Sequence, residues 1–76
     1  MAQQLDYRYV LELTAEALRE RAQTGPFVGP YDQGRLMGYY EALAEIVSQA
    51  QVMGIDLADI GLDGFAPESL LKSKAA

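Results

Sequence analysis

Gln23-Thr24-Gly25-Pro26-Phe27-Val28-Gly29-Pro30 places two Gly-Pro pairs between two segments of helical periodicity. Proline has no amide hydrogen and pushes the residue before it toward extended backbone, so a helix stops here and the chain turns. A connection of about eight residues between two helices is expected. Phe27 and Val28 are more apolar than a solvated connector needs. They are expected to fold back over the end of the resulting hairpin.

Upstream of this break, Tyr7, Val10, Leu11, Thr14, Ala17 and Leu18 fall on one side of a helix predicted over 6–22, with Arg8, Glu12, Glu16, Arg19 and Glu20 largely on the other. Asp6 suits the N-cap. Arg8 with Glu12, and Glu16 with Arg19, have the spacing of intrahelical ion pairs worth about 0.2–0.5 kcal/mol each. Downstream, a second helix is predicted over 32–53, spanning about 33 Å at 1.5 Å per residue. Gly54 stands where a left-handed cap ends it. Leu36, Tyr39, Tyr40, Leu43, Ile46, Val47, Ala50 and Met53 cluster within about 140° of its circumference, a wider stripe than one partner helix covers.

Beyond Gly54, Asp56 is placed to cap a single turn that points Leu57 and Ile60 inward and stops at Gly61. Asp63-Gly64 reads as a turn, and Pro67 fits the start of a short helix reaching Leu71. The fold class is therefore all-α: an antiparallel hairpin of 6–22 and 32–53 with 55–71 packed across it. A single domain is expected over 1–71 and a frayed tail over 72–76. The expected core is Val10, Leu11, Leu18, Leu36, Leu43, Ile46, Val47 and Met53.

Composition narrows the chemistry. The 76 residues are 50% hydrophobic and 22% charged, which is globular. A chain this short buries only about 60% of its unfolded surface, so apolar area is left over. Cysteine and histidine are both absent, which removes disulfides, thiolate ligands, thiol nucleophiles, imidazole bases and imidazole ligands. Without staples, oligomerisation is a usual route to stability in so small a domain. Eleven acidic residues face six basic ones, two of them Lys72 and Lys74, so direct nucleic-acid binding is disfavoured by repulsion. No basic leader and no run of about 20 apolar residues stands out, so a cytoplasmic location with no membrane attachment is expected.

Candidate sites were weighed against plainer roles. Asp56, Asp59 and Asp63 lack the oxygen-ligand spacing of a calcium loop and read as caps and turns. Glu41 and Glu45 project away from Leu43 and Val47, as solvated carboxylates do. The start of the second helix, with Gly34 and Arg35, could suit an anion, but Asp32 occupies the same positive end. No catalytic, cofactor-binding or metal-binding set results, and an enzyme is not expected.

More informative are Gly34, Gly38 and Ala42, four apart along one stripe, because an interior glycine costs about 0.8–1.0 kcal/mol against alanine. Gly38 is explained either by close approach of another backbone or by tolerance. Tyrosine supplies five of the seven aromatic residues, and Tyr39 and Tyr40 follow Arg35 by about one turn, a combination common at binding hot spots. Arg35, Gly38, Tyr39, Tyr40, Leu43 and Ile46 are the candidate interface. The expected protein is a small acidic interaction module, working as an adaptor, regulator or accessory subunit on a protein partner. It is expected to pair with itself as a homodimeric four-helix bundle. The competing reading is an acidic inhibitor that mimics nucleic acid on a basic protein surface.

Overall fold

The structure is a computed structural model that describes residues 2–75, with side chains from 6 to 72. Two long helices, α1 (Ala2–Thr24) and α2 (Gly29–Met53), pack together as a hairpin. A 3₁₀ turn (Leu57–Ile60) then lies against α1, and a short helix α3 (Glu68–Ala75) lies against α2. No strand occurs among the described residues.

The connection between the long helices is shorter than its two Gly-Pro pairs predict, covering only residues 25–28. Gly25, at φ 58°, ends α1 with its amide on the Arg21 carbonyl. Gly29-Pro30 opens α2 instead of excluding it, because a first-turn proline gives up an amide that has no intrahelical acceptor. Asp32 completes this start by accepting the Val28 amide at 3.0 Å. Asp6, expected as an N-cap, lies inside α1, which begins four residues earlier at Ala2.

The far end of α2 closes as the sequence predicts. Gly54 adopts φ 71°, and the amides of Gly54 and Ile55 reach the Gln51 and Ala50 carbonyls. Asp56 caps the 3₁₀ turn through the Ala58 amide at 3.1 Å, and Gly61 ends it at φ 77°. Pro67 immediately precedes α3, which runs on through Ala75 and so contains most of the expected tail. Ala76 lies outside the described residues.

The core differs from the expected one. Its buried members are Ala15, Ala22, Leu36, Leu43, Ala50, Ile60, Leu62, Phe65 and Leu70. Leu36, Leu43 and Ala50 recur every seven residues on α2, and Ala15 and Ala22 do the same on α1, giving a heptad-like seam with small residues where the helices meet. Leu18, Ile46 and Val47 are half-buried against it. Val10 at 62%, Met53 at 71% and Leu11 at 36% exposure are not core residues. Leu11 and Met53 border a notch that Ile46, Ile55 and Ile60 also line, and Val10 is turned to solvent. The burial expected of them goes to Ile60, Leu62, Phe65 and Leu70.

Arg8 and Arg19 fasten this C-terminal layer to α1 in place of the expected intrahelical pairs. Arg8 meets Asp59 at 3.7 Å. Arg19 donates to the Asp63 carbonyl at 3.1 Å and the Gly61 carbonyl at 3.4 Å, on either side of buried Leu62.

Candidate functional site

The C-terminal layer lies mainly on one flank of the hairpin, with Ile55 and Ile60 reaching the far end of the other. Leu57, Phe65, Ala66 and Pro67 face Ala44, Val47, Ser48 and Gln51 of α2 across a shared cleft. Projection at 100° per residue puts those α2 positions on one side of Leu43, and Arg35, Gly38, Tyr39, Ala42, Ile46, Gln49 and Met53 on the other. The second side is open.

Two adjoining depressions mark this open face. Near the loop, Leu18, Arg35, Gly38, Tyr39 and Ala42 line a shallow groove of about 360 Å³. Toward the other end, Leu11, Ile46, Ala50, Met53, Ile55 and Ile60, rimmed by Glu45 and Gln49, line a deeper notch of about 290 Å³ with almost wholly apolar walls. Tyr7 and Arg8 extend the apolar surface past Leu11 and Ile55.

The polar groups on the face are few and ordered. Arg35 donates to Asp32 at 3.0 Å and lies 5.3 Å above the Phe27 ring, which meets Tyr39 edge-on at 6.0 Å. The hydrogen bond to Asp32, together with Tyr39 and against some desolvation, raises the pKa of Arg35. Phe27 thus folds back as expected, whereas Val28 remains 72% exposed. At the other end Gln49 donates to Glu45 at 2.7 Å. The loop end of the face thus carries the Arg35–Asp32 ion pair, and the Glu45 carboxylate stands beyond its middle.

Of the six candidate interface residues, Arg35, Gly38, Tyr39 and Ile46 share the open face. Tyr40 is half-buried and projects about 60° from Leu43 toward the flank held by the C-terminal layer. Leu43 is fully buried between the helices and has no surface to offer a partner. Sequence reasoning assigned Leu11 and Met53 to the core and left out Ala42, yet all three line the open face. Ala42 stands four residues from both Gly38 and Ile46, Met53 seven from Ile46 and Leu11 seven from Leu18, and this helical spacing was the available signal.

Gly38 has no atom of this chain within 4 Å of where a Cβ would stand, and neither does Gly34. No segment of the hairpin therefore uses the space they leave. The aspartates take the structural roles described above: Asp56 caps and Asp59 pairs with Arg8. Among the described residues no three His, Cys, Asp or Glu side chains gather as a metal site, and no helix is long and apolar enough to cross a membrane.

Comparison with protein-family models, with curated proteins and with solved structures returns no match. The functional reading rests on the geometry of this face.

Proposed function

We propose that this protein is a protein–protein interaction module, an adaptor, regulator or accessory subunit, and that its working surface is the open face of the α1–α2 hairpin. The observation that carries this reading is one-sided coverage. The C-terminal layer closes one flank, while Leu11, Tyr39, Ile46 and Met53 remain on the other around grooves with no occupant from the chain itself. Aromatic and arginine groups at its loop end, Tyr39 with Arg35 over Phe27, are the kinds of side chain that dominate binding energy. On this reading the protein is a homodimer, two hairpins forming a four-helix bundle that buries the same patch on both copies.

Sedimentation equilibrium at micromolar concentration tests the reading, with Ile46→Glu as the disruptive variant. The expected result is a two-chain mass for the wild type and a folded single chain for the variant. A single-chain wild type that binds no hydrophobic dye overturns the interaction reading altogether.

A further inference from the structure

We infer that the apolar notch between α1, α2 and the 3₁₀ turn is a binding site for a small uncharged hydrophobic molecule of about two fused rings. This inference goes beyond the reading of the open face as a protein interface and stands or falls separately from it.

Three elements build the notch, and its walls are set before anything enters. Ala50, 4% exposed, and Ile60, 2% exposed, form the floor, which is as buried as the core. The Ile55 amide donates to the Ala50 carbonyl at 2.8 Å, and the left-handed Gly54 cap turns the chain between them, which fixes the Ile55 wall against α2. Asp56 caps the turn that carries Ile60, and the Leu62 amide closes that turn on the Leu57 carbonyl at 2.9 Å. Walls held by backbone hydrogen bonds lose little freedom when a ligand arrives. Leu11 and Met53 complete the rim, where the unbranched thioether of Met53 adapts to the outline of its neighbour.

Chemistry selects the ligand's charge. Water in the notch meets almost no polar atom in the walls, so its release favours an apolar occupant. Glu45 and Gln49, the polar residues at the rim, hydrogen-bond one another at 2.7 Å, and the one formal charge they bring is negative. A carboxylate or phosphate ligand would meet like charge there and no cation among the lining residues.

Size selects the ligand's bulk. A volume of about 290 Å³ is about twice that of an apolar cavity of ~150 Å³ that takes benzene. On α2 the walls run from Ile46 to Met53, about 10 Å of helix. A bicyclic skeleton matches both measures. The cleft on the opposite flank has a similar volume of about 320 Å³, but Ser48, Gln51 and Glu68 line it, so water there has partners.

The test titrates the full chain with indole, an uncharged two-ring probe, and follows side-chain methyl groups by NMR. Indole is expected to shift the methyls of Leu11, Ile46, Ile55 and Ile60 with a Kd of about 1 mM or below, and to leave those of Val28 and Leu57 in place. Indole-3-carboxylate, the same skeleton with a negative charge, is expected to bind about tenfold more weakly. Met53→Glu, at a position exposed enough to leave the melting temperature unchanged, is expected to weaken indole by about fivefold. No shift at about 10 mM indole overturns the inference, as do shifts of equal size at Leu18 and Val47, which would report adsorption over the whole surface. Equal affinity for indole and its carboxylate overturns the charge selection. If the notch methyls move with protein concentration alone and indole leaves them in place, a second copy fills the notch, and the inference fails while the interface reading holds. Indole binding to a protein of single-chain mass supports the inference and removes the homodimer.

Discussion

The guanidinium of Arg19 lies 5.3 Å from the centroid of the Phe65 ring while its Nη1 donates to both the Gly61 and Asp63 carbonyls. One side chain of α1 thus grips three points of the C-terminal layer. Arg19→Ala is expected to lower stability by about 1–3 kcal/mol, the range for charge-assisted hydrogen bonds with a cation–π contact. Lysine has neither the planar fork nor the stacking face, so Arg19→Lys should recover less than half of the loss. Urea unfolding followed by circular dichroism measures both; a wild-type midpoint for Arg19→Ala would remove the clamp from the account of stability.

Gly61 passes close beneath the Glu16 side chain. Gly61 holds φ 77°, and a Cβ there would collide with the Glu16 side chain. Gly61→Ala is expected to cost more than the ~1–2 kcal/mol of left-handed strain alone. Gly64→Ala provides the comparison, since Gly64 shares the backbone conformation at φ 68° with no neighbour within 4 Å. Adding Glu16→Ala should rescue Gly61→Ala toward the Gly64→Ala value. Equal losses at the two glycines would show that the Glu16 contact yields at no cost.

These fastenings explain how much of the fold was legible in the sequence. The hairpin was, because Gly25, Gly54, Asp56 and Gly61 act through their own backbone and immediate neighbours, and such signals are local. The division of the apolar stripe was not. Val10 and Met53 are as apolar as Leu36 and Leu43, and which of them is buried depends on the angle at which the helices meet and on the side where the C-terminal layer settles. That choice depends on Arg8 and Arg19 reaching residues more than forty positions away, contacts that an intrahelical spacing rule assigns to Glu12 and Glu16. Ala15 and Ala22 were missed, and Ala50 was placed on the stripe but not in the core, because a small side chain carries little hydropathy although it sets how closely the helices approach. For the candidate site, the stripe through Arg35, Gly38, Tyr39 and Ile46 was visible, while its extension to Leu11 and Met53 was hidden by their assignment to the core.

The redistributed core makes paired predictions. Leu43→Ala, at a fully buried position, is expected to destabilise by about 2–5 kcal/mol. Met53→Ala, at 71% exposure, should change the stability of the single chain by less than about 0.5 kcal/mol. Chemical denaturation at low protein concentration compares them, and comparable losses would restore Met53 to the core.

A chain ending at Gly54 should lose cooperative folding, because Ile60, Leu62, Phe65 and Leu70 leave with the C-terminal layer and expose the seam that they cover. The expected result is a broad thermal transition by circular dichroism with increased binding of a hydrophobic dye. A sharp, unshifted transition would show that the hairpin stands by itself and that the layer has another task.

Gly34 and Gly38 separate what a helix wants from what the open face wants. Both sit inside α2 without positive φ, and neither has a neighbour within 4 Å. By helix propensity alone, alanine at either position should stabilise the chain by about 0.8–1.0 kcal/mol. The two differ in direction: Gly34 projects about 180° from Leu43, away from the hairpin, whereas Gly38 lines the groove beside Tyr39. Gly34→Ala should therefore raise the melting temperature equally at all protein concentrations. Gly38→Ala should match it in dilute solution, where chains are single. At concentrations where the proposed pairing occurs, its advantage should shrink or reverse, because the added methyl stands on the face that a second copy would cover. Thermal melts of the two variants and the wild type across a hundredfold range of about micromolar to submillimolar concentration resolve this. If Gly38→Ala keeps a constant advantage over that range, the glycine is tolerated within α2 and nothing approaches it.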